Sequence, residues 1–150
     1  MENEYSISEE FIYTTMGEIA NIIDNMSKFK YLSMYMYKDF LKIQIMSLAE
    51  SHGFTSIKNY LVEDKLKESI NIDVIWIGKS IIAISSFIIT DNYNEEVCQS
   101  FSVYDAPYKF WIYLGSKEIN NIKQIIKTND VHFMPMPVIS SDLLYCSSKR

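Results

Sequence analysis

Asp73 is the one carboxylate inside the apolar stretch INIDVIWIGKSIIAISSFIIT, which runs from Ile70 to Thr90. A carboxylate among isoleucines is costly unless a cation or hydrogen-bond donors meet it. Two readings follow. Asp73 is either a strand acid held by backbone amides or a lysine, or an acid that faces a metal or a phosphate. Glu50 and His52, in LAESHGF, converge with Asp73 on one cation if the helix that carries them packs over the strands. Otherwise they are surface groups at a helix end. Carboxylates gathered on a hard cation activate water for hydrolysis. With migrated ligands, the set becomes Glu50, Asp73 and Asp91.

Other side chains offer less. Ser85 and Ser86 lie in mid-strand, without the sharp turn that presents a serine nucleophile. They read as core serines bonded to backbone. In YLSMYMYKDF, Tyr31 and Tyr35 share a helical face and Tyr37 points elsewhere. That pattern fits base stacking or, more simply, rings packed inward with wet hydroxyls. His132 stands alone. No HExxH, CxxC, GxGxxG or P-loop pattern occurs, which argues against zinc, dinucleotide and nucleotide-triphosphate chemistry. Nucleic-acid binding would need Lys38, Lys42, Lys58 and Lys79, with Lys65 and Lys67, to gather on one face.

The elements that would position these residues can be read from pattern. Ser6, with Glu9 three residues on, is a capping box for a first helix with its stripe at Phe11, Ile12, Met16, Ile19, Ile23 and Met26. A second helix is expected from about Lys28 to Ser51, closed by Gly53 as a left-handed residue. Strands follow at 54–63, 70–77 and 80–89, the last two joined through Gly78 and Lys79. Asn94 caps a third helix that ends before Pro107. YKFWIYL is a buried strand, and GSKEINNIKQIIKTND reads as an amphipathic helix. VHFMPMPVIS is the last strand. Pro135 and Pro137 are two apart, so their missing N–H groups fall on one edge. The order α-α-β-β-β-α-β-α-β predicts an antiparallel meander, then parallel crossovers. The sum is a mixed α/β sheet with helices on both faces.

The 150 residues suit a single domain: an acidic helix over 1–26, a core over 30–139 and a tail over 140–150. Apolar residues make up 48% and charged residues 22%, which excludes a disordered chain. Six of the 19 acids and none of the 14 bases fall in residues 1–26. That segment is −6 and the remainder +1, so no strongly basic footprint exists. The acidic run is a solvated helix face or a patch for a basic partner. Cys98 and Cys146 form no metal-type pair, and no signal peptide or long apolar span is present. Reduced thiols and a cytoplasmic location are expected, with no membrane partner.

The stretch from LAESHGF through TSIKNYLVED to INIDVIWIGKSIIAISSFIITDNYNEEVCQSFSVYDAPYKFWIYLG resembles the PD-(D/E)XK nuclease superfamily, over about residues 30–115. The resemblance implies a restriction-endonuclease-like core. It matches Asp73 to the second-strand acid, Glu50 to the helix acid (with Glu18 competing), and Gln99 to a polar residue on the following helix. These are the remnant catalytic candidates, and Asp73 and Glu50 are the metal candidates. The (D/E)xK pair of the third strand is missing: no acid or lysine lies between Ser80 and Thr90. The expectation is therefore a degenerate, non-cleaving member that acts by nucleic-acid binding. The alternative is a protein-interaction or self-association module, with a homodimer as the default oligomer because closed pairs dominate. Least favoured is a nuclease with migrated ligands. No cofactor is expected, and Mg²⁺ only if the domain cleaves.

Overall fold

A computed structural model describes residues 8–28, 33–63, 69–79, 83–126 and 130–138. It contains α1 (Glu9–Met26), α2 (Met34–Ser51), β1 (Thr55–Glu63), β2 (Ser69–Ile77), β3 (Ala83–Thr90), α3 (Glu95–Val103), β4 (Tyr108–Tyr113), α4 (Ile122–Ile125) and β5 (Val131–Pro135). The five strands form one sheet in the order β1-β2-β3-β4-β5. The first three run antiparallel to their neighbours, and β4 and β5 continue parallel to β3. The mixed α/β architecture expected from the pattern is present.

The sheet has an apolar core on each face. On one side α1 and α2 pack Ile19, Leu41, Ile45 and Ala49 against Val74, Trp76, Phe87 and Phe110. On the other, α3 and the segment around α4 cover Ile75, Ile88 and Trp111 with Cys98, Phe101 and Ile122. Each fully buried large side chain contributes about 1.5–3 kcal/mol of transfer free energy. β3 is buried along Ile84–Ile89 because both layers cover it. The turn of α2 into β1 is a Schellman motif. Gly53 has φ +81°, its N–H donates to the Glu50 carbonyl, and Phe54 N–H reaches back to Ala49.

Several boundaries differ from expectation. Ser8, not Ser6, caps α1: its hydroxyl accepts from Phe11 N–H, and its own N–H donates to the Tyr108 hydroxyl. That tertiary bond selects between two serines that look alike locally. Ser33 caps α2 six residues later than expected, by accepting from Met36 N–H. α3 does end before Pro107 as expected, at Val103. The helix expected over GSKEINNIKQIIKTND shrinks to one turn, because Asn121 adopts a left-handed φ of +61° and Ile126 is extended. Ile119, Ile122, Ile125 and Ile126 still pack on the core.

β5 is an edge strand, as its prolines require. Met136 N–H donates to Tyr113 and Val138 N–H to Leu114. The alternate positions, Pro135 and Pro137, therefore face the outer edge, where no donor is needed. The Ser6, Tyr31, Lys65, Lys67 and Cys146 readings, and the tail over 140–150, lie outside the described residues.

Candidate functional site

The face alternation of β2 breaks at Asp73. Ile70 and Ile72 pack in the α3-side core with Ile75, while Val74 and Trp76 pack in the α2-side core. A regular strand would put residues 70, 72, 74 and 76 on one face. Across the β1–β2 ladder, Lys58 pairs with Val74 and Tyr60 with Ile72, so Asn59 lies opposite the break. Asn59 has φ +57°, a conformation that Asn tolerates better than most residues. The two irregular residues face each other and turn both strands out of phase.

The break places Asp73 toward α2. Its Oδ1 lies 3.2 Å from Lys42 Nζ, and the pair is nearly buried, with 14% of the Asp73 side chain and 16% of the Lys42 side chain exposed. Lys42 also donates to Asn59 Oδ1 at 2.9 Å. Asp73 Oδ2 accepts from Ile89 N–H at 2.6 Å. The β2–β3 ladder stops at the Val74–Phe87 pair, so the carboxylate satisfies an amide that the ladder leaves over. One turn earlier on α2, Lys38 Nζ lies 3.0 Å from Asp91 Oδ1, just beyond the end of β3. Two ion pairs thus stand side by side between α2 and the carboxyl end of β3.

The other nominated acids lie elsewhere. Glu50 is exposed, eight residues beyond Lys42, or about 12 Å along the helix. Gln99 donates to Glu95 Oε2 on α3, in the opposite layer. Glu18 pairs with His52 at 2.7 Å, and the imidazole stacks on Trp76 with centroids 5.4 Å apart. His52 thereby ties α1 to the end of α2. Among the described residues, no three His, Cys, Asp or Glu side chains gather closely enough to hold a metal. The carboxylates present do not fit a magnesium site, since Asp73 already has an ammonium as its cation.

The nominated lysines are mostly engaged. Lys38 and Lys42 hold Asp91 and Asp73, and Lys58 lies 3.8 Å from Asp39 in a more exposed pair. Lys79 is exposed at the β2–β3 turn. Tyr37 is buried and Tyr35 is 81% exposed, so the expectation of an inward-packed ring fails at Tyr35. Ser85 and Ser86 are fully enclosed. The expected backbone bond is missing at Ser85, whose hydroxyl has no partner among the described residues.

Lys109 was not singled out in the sequence. It is 2% exposed on β4, and its Nζ donates to the carbonyls of Phe101, Ser102 and Tyr104 at 3.3, 2.8 and 2.6 Å. The ammonium satisfies the last carbonyls of α3 and meets the negative helix end. Burial pushes its pKa down, against the pull of Asp130 and Asp105. A lone lysine within YKFWIY was the available signal. Burial also lowers the pKa of His132 and raises that of the Cys98 thiol to about 11. Among the described residues, no helix is long and apolar enough to cross a membrane. Comparison with protein-family models, with curated proteins and with solved structures gives no match for this chain.

Proposed function

We propose that this chain is a non-catalytic binding domain on a degenerate, nuclease-like core, and that it docks a protein along the outer edge of β1. The observation that carries this reading is the asymmetry of the two sheet edges. β5 is blunted by Pro135 and Pro137. β1 is nine residues long and has no proline, and it exposes Ile57, Tyr60 and Leu61 at 41%, 44% and 60%. An edge with free amides and apolar side chains is a template for another strand. The Asn59 kink divides that edge into two short segments, which restricts the register a partner strand can take.

Nucleic-acid binding is the second reading. It is weakened because Lys38, Lys42 and Lys58 each spend their charge on a carboxylate of the same chain. Phosphate contacts would have to displace those acids. A second copy of this chain is the first partner to test. Light scattering over a wide concentration range should show a dimer that Leu61→Lys and Ile57→Lys abolish. A monomer at every concentration, together with a salt-sensitive shift of labelled DNA, would overturn the protein reading in favour of nucleic acid. Neither Mg²⁺ nor Mn²⁺ is expected to produce cleavage.

A further inference from the structure

The carboxyl ends of β3 and β4 enclose a crevice of about 510 Å³. Its size falls within the range of small-molecule sites, about 300–1,000 Å³. Parallel strands place ligands at this end, where their exit loops diverge. The crevice is separate from the β1 edge, with β2 between β1 and β3.

Beside the crevice the two exit loops meet closely. A Cβ at Gly115 would come within 2.5 Å of both the Asp91 carbonyl oxygen and the Tyr113 hydroxyl. Leu114 N–H donates to the Thr90 carbonyl at 2.7 Å, so the two exit loops are laced together. Glycine at this point lets them approach closely.

The walls are aromatic and fixed. Tyr113 is 4% exposed, and its hydroxyl donates to the Lys117 carbonyl at 2.9 Å. Tyr93 stacks on Trp111, with centroids 6.4 Å apart and planes at 29°, and stays 38% exposed. The remaining lining is polar apart from Ile119: Asp91, Asn92, Ser116, Glu118 and Asn120, with Lys117. The Asp91 carboxylate is held by Lys38 through Oδ1.

We infer that this crevice binds an uncharged, ring-shaped heterocycle rich in N–H donors, with a nucleoside as the matching class. The exposed part of the Tyr93 ring suits a planar ring. Carboxylate and amide oxygens suit N–H and O–H donors. Lys38 neutralises Asp91, and Lys117 stands against Glu118, so the lining has no surplus positive charge for a phosphate and a nucleoside should bind at least as tightly as its monophosphate.

The test is a titration of isotope-labelled protein with adenosine, guanosine, cytidine and uridine, followed by amide resonances, with the 5′-monophosphates run in parallel. At least one nucleoside should shift the amides of residues 91–93 and 116–120 in a saturable way. Its monophosphate should bind no more tightly. Tyr93→Ala, at a partly exposed position, should keep the fold and weaken binding by about tenfold. Absence of localised shifts with all four nucleosides would overturn the inference. So would tighter binding of the monophosphate, or affinity unchanged in Tyr93→Ala.

Discussion

Lys42 holds Asp73 at 3.2 Å across the α2–sheet interface, and the same ammonium bridges to Asn59. The counter-cation of this nearly buried strand acid is thus a side chain of the protein itself. Electrostatically the lysine satisfies the buried carboxylate.

This pair should be strongly coupled. Lys42→Met leaves a nearly buried carboxylate without its cation, and the expected loss is about 1–3 kcal/mol in urea unfolding. Asp73→Asn keeps an acceptor for Ile89 N–H while removing the charge. In the double-mutant cycle the coupling should reach about 0.5–3 kcal/mol. Additive single effects would show that the two side chains do not stabilise each other.

Lys109→Met tests the buried ammonium under α3. The substitution keeps the aliphatic stem but strands three carbonyls that now share Nζ. A loss on the order of 2–3 kcal/mol is expected. Amide exchange should accelerate in Phe101–Tyr104 more than in β4. Uniform acceleration, or unchanged stability, would count against a capping role.

His132 gives the fold a pH dependence of known sign. Burial holds its folded-state pKa below the ordinary 6.5, with Asp130 pulling weakly the other way. As pH falls through 6.5, the unfolded chain takes up this proton first. The contribution is present above 6.5 and is lost as pH drops toward the folded-state value. The wild-type minus His132→Asn stability difference should therefore fall with acidification across that window. A flat difference curve would contradict it.

Cys98 should behave as an inert core thiol. It is 2% exposed, and burial raises its pKa to about 11. Only about one molecule in ten thousand is then thiolate at neutral pH, and the thiolate is the reactive form. In a Cys146→Ser background, alkylation should follow the opening of α3 and speed up in denaturant. Rapid labelling of the native protein would show that α3 does not cover the thiol as described.

Much of the architecture was legible in the chain. The apolar stripe of α1, the Asn94 cap, the left-handed Gly53 and the two prolines of β5 each act through residues one to four positions apart. Such local rules need no tertiary information. The antiparallel-then-parallel order followed from connection lengths. The one-turn α4 went the other way: the Ile spacing read as a helix, and a left-handed Asn121 prevailed. The choice of Ser8 over Ser6 depended on Tyr108, a hundred residues away.

The sequence by itself determined that Asp73 had to find a partner, because an apolar strand cannot hold a bare carboxylate. Only the tertiary structure decided which one. Lys42, Asn59 and Ile89 come from a helix and two other strands, and Lys38 meets Asp91 across 53 residues. Pairings of that range depend on sheet register and on the phase break at Asn59 and Asp73. Backbone pairing across strands fixes both, and no local pattern records them. The same holds for Lys109 and for the crevice beneath Tyr93, which exist only where separate loops and a helix end meet.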